Sequence, residues 1–207
     1  MQEDKVDLTI IIPCHNLENY IGKMLESLEK QIFAYSVEIY FICDSCTDKT
    51  RDIIVEWAKN KNQFIGYLLD VEVHSCGLAR NVALDYAKGD YIWFMDGDDW
   101  LLDEWAIEKV ITSMKVTNTD ILSFDYEAPN FQFKGHPAMV WQYCFKHNFI
   151  AGRRFSDIQP HEDRDFMQEV FKDEPKIMTF KEKLYFYNYL REGSNMWQVF
   201  HNGEVKT

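Results

Sequence analysis

The chain has 207 residues, of which 46% are hydrophobic and 15% aromatic, and its 34 acidic and 22 basic residues give a formal net charge of −12. An acidic chain disfavours nucleic acid as the main partner, because a phosphate backbone requires a basic footprint. No apolar run reaches the roughly 20 residues that span a bilayer, and the first residues do not resemble a signal peptide. We therefore expect a cytoplasmic protein without a transmembrane segment, for which peripheral membrane contact stays open.

Apolar runs and helical patterns alternate along the first 126 residues. The predicted strands are 8–12, 37–42, 64–71, 91–95 and 120–124, and the predicted helices are 18–30, 47–59, 78–88 and 103–115. Strands and helices that alternate at this spacing indicate right-handed βαβ units around a mostly parallel sheet. The fold class predicted from the pattern is therefore α/β.

The pattern changes from about residue 127. A loop or hairpin is predicted at 130–137, helices at 138–149 and 162–171, and strand-like runs within 176–190. No internal repeat, low-complexity tract or linker separates the two parts, so we expect one domain over 1–207 with a smaller C-terminal region.

Polar side chains gather just after the predicted strands, where ligands bind in parallel sheets. Asp96-Gly97-Asp98-Asp99 follows the aromatic strand YIWFM. Three carboxylates this close repel one another unless a cation neutralises them. A hard divalent ion with oxygen ligands, Mn²⁺ or Mg²⁺, is the simplest such cation. The alternative is a solvated turn, in which Asp is common.

Five blocks in order give the chain a family resemblance: LTIIIPCHNLENYI, ICDSCTDKT, CGLARNVALDYAKGDYIWFMDGDDW, RRFSDIQPHEDRDF and YLREGSN. Together they resemble family 2 glycosyltransferases, which are inverting enzymes with the GT-A fold. The resemblance implies a Rossmann-like, mostly parallel central sheet with helices on both faces. It also implies a nucleotide-sugar-binding half at about 1–126 and a half for acceptor and catalytic base at about 127–207.

The resemblance assigns the donor pocket residue by residue. Asp44 occupies the place of an aspartate that reads the base, usually uracil, through its N3–H. The residues expected to line the base and ribose are Pro13, His15 and Asn16. Asp96 and Asp98 match the DxD motif, with Asp98 as metal ligand, Asp96 at the ribose or the metal, and Asp99 sharing the metal.

Two further blocks carry roles implied by the resemblance. In HEDRDF, Asp163 is the expected general base, with Glu162 as the alternative; both also favour a helix N-terminus for electrostatic reasons alone. Arg80 is expected near the diphosphate or paired with a carboxylate. Arg191 and Ser194 match a late block that closes over the phosphates.

The resemblance implies transfer of a sugar from a nucleotide diphosphate sugar, most often a UDP-sugar, to a glycan, lipid-linked or protein acceptor. Two alternatives stay open. A non-catalytic sugar-nucleotide-binding module would use the same pocket. A zinc or redox protein would use Cys43-x-x-Cys46, which replaces part of the family's D-D-G-S-x-D block. The other cysteines are Cys14, Cys76 and Cys144, an odd total that disfavours a disulfide framework.

Overall fold

The computed structural model describes residues 5–59, 63–128, 139–158, 161–189 and 191–192. The strands are Leu8–Cys14 (β1), Val37–Asp44 (β2), Ile65–Val71 (β3), Tyr91–Phe94 (β4), Trp100–Leu101 (β5), Ile121–Glu127 (β6), Tyr143–Lys146 (β7) and Ile177–Phe186 (β8). The helices are Ile21–Glu29 (α1), Thr50–Ala58 (α2), Cys76–Leu84 (α3), Ala106–Thr117 (α4), His147–Ile150 (α5) and Glu162–Phe171 (α6).

The eight strands form one sheet in the order β3-β2-β1-β4-β7-β6-β8-β5. Neighbouring strands from β3 to β4, and the pair β6 and β8, run parallel. The pairs that involve β7 or β5 run antiparallel. The α/β class is thereby confirmed, and the sheet is mixed because β7 enters between β4 and β6.

Both faces of the sheet are covered by helices, as alternation along a strand requires. In β1, Leu8, Ile10 and Ile12 pack with α1, α2 and α4, whereas Ile11 packs on the opposite face with α3 and α6. Each of these four side chains is fully buried. The predicted two-faced packing is confirmed.

The helix predicted at 138–149 is wrong for the part that the structure describes. Val140–Gln142 is a single 3-10 turn, followed by β7 and the short α5. Tyr143 and Phe145 pack into one core and Cys144 into the other, so the segment alternates with period two. Both faces are apolar, which hides the strand in the sequence. The loop predicted at 130–137 lies outside the described residues.

Candidate active site

The candidate site lies at the carboxyl ends of β1, β2 and β4. Because β1 lies between the other two in parallel register, the segments that follow Cys14, Asp44 and Phe94 emerge at the same edge. The last of these segments contains Asp96 and Asp98. The sheet therefore brings the predicted base-reading carboxylate and the predicted metal ligands to one edge.

Arg80 joins this edge to helix α6. Its guanidinium donates through Nη2 to Oδ1 of Asp96 at 2.7 Å and through Nη1 to Oδ1 of Asp163 at 2.6 Å. The arginine side chain is only 2% exposed and lies over the ring of Phe155. A buried cation needs charged partners of this kind, and the pairing fixes Asp96 and Asp163 on either side of one guanidinium.

Asp163 is held in the first turn of α6. Its second oxygen, Oδ2, accepts a hydrogen bond from the backbone N–H of Val140 at 3.1 Å. Burial raises the pKa of Asp163 to about 6, although the nearby charge of Arg80 acts to lower it. A carboxylate with such a pKa is ionised at neutral pH and takes up a proton more readily than an exposed aspartate.

Glu162 precedes Asp163 but has a different environment. It is 7% exposed, and its Oε2 has no hydrogen-bond partner among the described residues. Its Cβ packs against Gly77, where an added Cβ would approach Glu162 to 3.1 Å and Phe155 to 2.9 Å. Only a residue without a side chain fits at Gly77, and this close approach brings the start of α3 against α6.

Asp96 and Asp98 each face an arginine. The backbone N–H of Asp96 donates to the hydroxyl of Tyr185 at 2.9 Å, and its side chain accepts from Arg80. The Asp98 carboxylate accepts from Nε of Arg191. Burial raises the pKa of Asp98, against the effect of Arg191. Each of these carboxylates therefore has a cationic partner in the structure.

Asp99 is turned into the protein. It is 1% exposed, and its Oδ1 accepts a hydrogen bond from the backbone N–H of Asn188 at 2.8 Å. Burial, followed by the charges of Asp98 and Asp96, raises its pKa well above the ordinary value. The three aspartates thus have three different surroundings. Within the described ranges, no group of three or more His, Cys, Asp or Glu side chains is arranged to hold a metal ion.

Asp44 is bonded to the backbone of the loop between β3 and α3. Its Oδ1 accepts from the N–H groups of Val73 at 2.9 Å and His74 at 3.0 Å, and its Oδ2 accepts from Ser75 at 3.0 Å. His74 has a positive φ of 53°, which needs this support. The carboxylate shapes the loop, and its reading of a base stays a prediction.

The residues predicted beside the base occupy the end of β1. Pro13 is buried in the strand, whereas His15 and Asn16 are exposed. The Nδ1 of His15 lies 2.7 Å from the Asp44 carbonyl oxygen. Asn16 Oδ1 accepts from the N–H of Thr47 at 2.8 Å. These bonds hold the loop after β2 against the end of β1.

Arg191 lies between Asp98 and the ring of Tyr20. Besides its contact with Asp98, its guanidinium carbon lies 5.2 Å from the ring centroid of Tyr20. Its backbone N–H donates to the carbonyl of Asn188 at 3.3 Å. The structure therefore brings Arg191 to Asp98, and Ser194 of the same block lies outside the described residues.

Sequence reasoning missed Tyr185, Asn188 and Val140. They support Asp96, Asp99 and Asp163 through the bonds given above. Two of these bonds use only a backbone N–H, which no side-chain pattern reveals. Tyr185 stands in an aromatic run in which its neighbours look alike, so the sequence carries no signal for its hydroxyl.

The sequence model of Glycosyl transferase family 2 matches residues 9–174. The chain belongs to glycosyl transferase family 2. Among sequence relatives of this family 2 chain, the glycosyltransferase GlyA of Streptococcus pneumoniae is 31% identical over 130 residues, which cover 62% of this chain and 18% of GlyA. The poly(ribitol-phosphate) beta-N-acetylglucosaminyltransferase TarS of Staphylococcus aureus is 26% identical over 215 residues, 93% of this chain and 37% of TarS.

Solved structures share the fold. TarS residues 1–349 in complex with UDP-GlcNAc superpose with a TM-score of 0.82 at 21% identity, covering 93% of this chain and 61% of that one. The mannosyltransferase PcManGT of Pyrobaculum calidifontis, in complex with GDP-Man and Mn²⁺, gives 0.76 at 15% identity, covering 95% and 61%. The chain has the GT-A fold of these enzymes.

This family 2 chain spans less than half of the length of the sequence relatives named above. In the described part of the chain, no helix is both long enough and apolar enough to cross a membrane.

Proposed function

We propose that this chain is a glycosyltransferase that moves a sugar from a UDP-sugar to a hydroxyl group of a glycan, lipid-linked or protein acceptor, with inversion at the anomeric carbon. Residues 1–126 supply the nucleotide-sugar half and residues 127–207 the acceptor and base half of one domain. A cytoplasmic location of the whole protein stays a prediction.

The observation that carries the proposal is the double pairing of Arg80. One guanidinium contacts Asp96, from the segment proposed for the donor, and Asp163, the proposed base. A transferase needs donor and base on the same side of one cleft, within reach of a single anomeric carbon. A module that only binds a sugar nucleotide needs no carboxylate in the place of Asp163.

The donor pocket is proposed at the ends of β1 and β2. Asp44, with Pro13, His15 and Asn16, would contact the uracil and ribose. Oδ2 of Asp44 accepts one hydrogen bond in the structure, which leaves it a lone pair for a base N–H. The names of the relatives support a UDP-sugar, since TarS is an N-acetylglucosaminyltransferase with a structure in complex with UDP-GlcNAc.

Asp98 and Asp96 are proposed to hold Mn²⁺ or Mg²⁺. Their hard oxygen atoms fit such an ion, and each is already paired with a cationic side chain, Arg191 or Arg80. Two carboxylates leave positions for diphosphate oxygens. The ion would neutralise charge on the departing diphosphate. For Asp99, whose Oδ1 is bonded to Asn188, we propose support of the segment rather than ligation.

The proposed reaction is a single displacement. The acceptor oxygen forms a bond to the anomeric carbon while the bond from that carbon to the diphosphate oxygen breaks. The acceptor proton passes to the carboxylate of Asp163, and UDP leaves with the electron pair. Arg80 and Arg191 would stabilise the negative charge of the leaving diphosphate, and Glu162 is the alternative base.

UDP release and sugar transfer, measured with Mn²⁺ and with a chelator, test this function. In Asp163→Asn, the single amide oxygen can accept from Arg80 or from Val140 but not from both, and the base is lost. We expect turnover to fall by about 10²–10⁴-fold with UDP affinity retained. The matched control is Asp165→Asn, in the same helix turn, where Asp165 contacts Ser156 and Arg164. Full turnover in Asp163→Asn would refute the assignment, and UDP binding without turnover in the native chain would favour the binding module.

A further inference from the structure

Three thiols meet at the edge of the proposed donor pocket. Cys14 and Cys43 are register partners on the adjacent parallel strands β1 and β2, and both are buried in the same core. Cys46 packs against that core, and its Sγ donates to the carbonyl of Cys14 at 3.3 Å. The loop after β2 therefore returns Cys46 to the end of the strands that carry the other two thiols.

The turn between Cys43 and Cys46 sets this arrangement. Ser45 has a positive φ of 52°, and its N–H donates to the carbonyl of Val71 at 2.9 Å. This reversal returns Cys46 to the core that contains Cys43, with its Sγ at the carbonyl of Cys14. Cys43 is 2% exposed, whereas Cys46 is partly open to solvent. A reagent in solution can therefore reach the Cys46 thiol, whereas the Cys43 thiol is buried.

We propose that Cys43 and Cys46 are a modification site, at which a low-molecular-weight disulfide oxidises the pair to an intramolecular disulfide bond that distorts the pocket. The distortion of the turn stands on the contacts above, and its effect on the donor rests on the proposed function.

The reaction is two thiol–disulfide exchanges. The Cys46 thiolate attacks one sulfur of the small disulfide, and the first small thiolate leaves. The Cys43 sulfur then attacks Sγ of Cys46, the second small thiolate leaves, and it accepts the Cys43 proton. Two protein thiols are oxidised by two electrons, and one small disulfide is reduced to two thiols.

The surroundings of Cys46 suit its role as the attacking thiol. Interaction with the Cys43 thiol lowers the pKa of Cys46 to about 7, which gives it thiolate character at neutral pH. By contrast, Cys144 is fully buried, and burial raises its pKa far above the ordinary value, so it serves as an internal control thiol.

The bridge would act on the pocket through the turn. A disulfide of about 2.05 Å is shorter than any contact between two unbonded sulfurs, so it must draw Cys46 toward Cys43 and disturb its contact with the carbonyl of Cys14. Thr47 follows directly and is bonded to Asn16. Asp44, inside the bridged segment, holds the loop 73–75 through three N–H groups.

The test treats the native chain with oxidised glutathione and maps its cysteines by peptide mass spectrometry. We expect a Cys43–Cys46 bridge with Cys144 still reduced, and faster hydrogen exchange of the amides at 73–75. UDP affinity should fall about tenfold, as for the loss of one or two pocket hydrogen bonds, and dithiothreitol should restore it. In Cys46→Ser, UDP affinity should no longer respond to oxidised glutathione.

Glutathione held on Cys46 with Cys43 still free, or a bridge from Cys46 to Cys14, would overturn the proposal. So would a Cys43–Cys46 bridge that leaves the exchange of 73–75 unchanged. If the reduced chain binds no UDP, the proposed function fails, and the mass and exchange measurements still decide the thiol proposal.

Discussion

Arg80 and Asp163 are 83 positions apart in sequence and 2.6 Å apart between Nη1 and Oδ1. Arg80 lies in α3, which follows the sheet edge of the proposed donor pocket, and Asp163 lies in the first turn of α6. The contact ties the two proposed halves of the cleft together. Because the same guanidinium also contacts Asp96, its loss would leave two carboxylates without their cation.

Replacement of Arg80 by Gln should therefore be costly for folding. Removing one partner of a buried ion pair costs about 3–5 kcal/mol, because the remaining charge is left uncompensated. We expect a loss of this size in the free energy of unfolding measured with urea. The control is Arg154→Gln, which breaks the exposed pair with Asp85 and should cost less than about 1 kcal/mol. Equal losses in the free energy of unfolding for the two variants would contradict the role of Arg80 as the buried cation between Asp96 and Asp163.

Protonation of Asp163 should determine how kcat/KM falls at acidic pH. Burial raises its pKa from 3.8 to about 6, and a general base acts only when ionised. We expect kcat/KM for the UDP-sugar to rise about tenfold per pH unit up to about pH 6 and to level off above it. Stability should change in the opposite direction. The contribution of Asp163 to the free energy of unfolding should fall as the pH rises from about 4 to about 6, because the fold favours the protonated form of this carboxylate. A profile that is flat between about pH 5 and 7 would rule out Asp163 as the base.

Arg191 should compete with a divalent ion for Asp98. Its guanidinium contacts the carboxylate that we propose as metal ligand. Replacing Arg191 by Gln removes this positive charge, so Mn²⁺ should bind the nucleotide-free chain on the order of tenfold more tightly, as measured by titration calorimetry. Arg51→Gln, which breaks an exposed pair with Asp70, is the control and should leave Mn²⁺ affinity unchanged. Weaker Mn²⁺ binding by Arg191→Gln would show that the arginine does not compete.

The shape and hydrogen bond of the Asp99 side chain should contribute more to stability than its charge does. Its pKa is raised well above the ordinary value, chiefly by burial. Asp99→Asn keeps an acceptor for the N–H of Asn188. The free energy of unfolding measured with urea should therefore change by less than about 1 kcal/mol. Asp99→Ala leaves that N–H without a partner and should cost about 1–3 kcal/mol. If Asp99→Asn abolished Mn²⁺ binding at full stability, Asp99 would be a metal ligand.

The sequence predicted most of what depends on periodicity. Helix α6 was predicted with its observed bounds because Phe166, Met167 and Val170 form an apolar stripe above a polar face. The alternating strands and helices of the first 126 residues fixed which segments end at the same sheet edge. The placement of Asp44 and of Asp96-Gly97-Asp98 at one sheet edge follows from that alone.

Strand β7 and the supporting contacts were not predictable in this way. In β7 both faces are buried, so strand and helix patterns are indistinguishable. A carboxylate partner for Arg80 is among the predictions, but its identity as Asp163 is not, and neither is the pairing of Arg191 with Asp98. Both pairs join residues that are far apart in the chain. Such pairs depend on how the helices pack around the sheet, which local patterns do not encode.

The most direct test of the account is the melting temperature of the chain with UDP or GDP, each with Mn²⁺ and with a chelator. A ligand that binds only the folded state stabilises it by mass action. We predict that UDP with Mn²⁺ raises the melting temperature by about 5–10 °C near a hundredfold excess over the dissociation constant, and that chelation removes most of this rise. A melting temperature that responds to neither nucleotide, with or without Mn²⁺, would contradict the proposal that this cleft holds a nucleotide sugar.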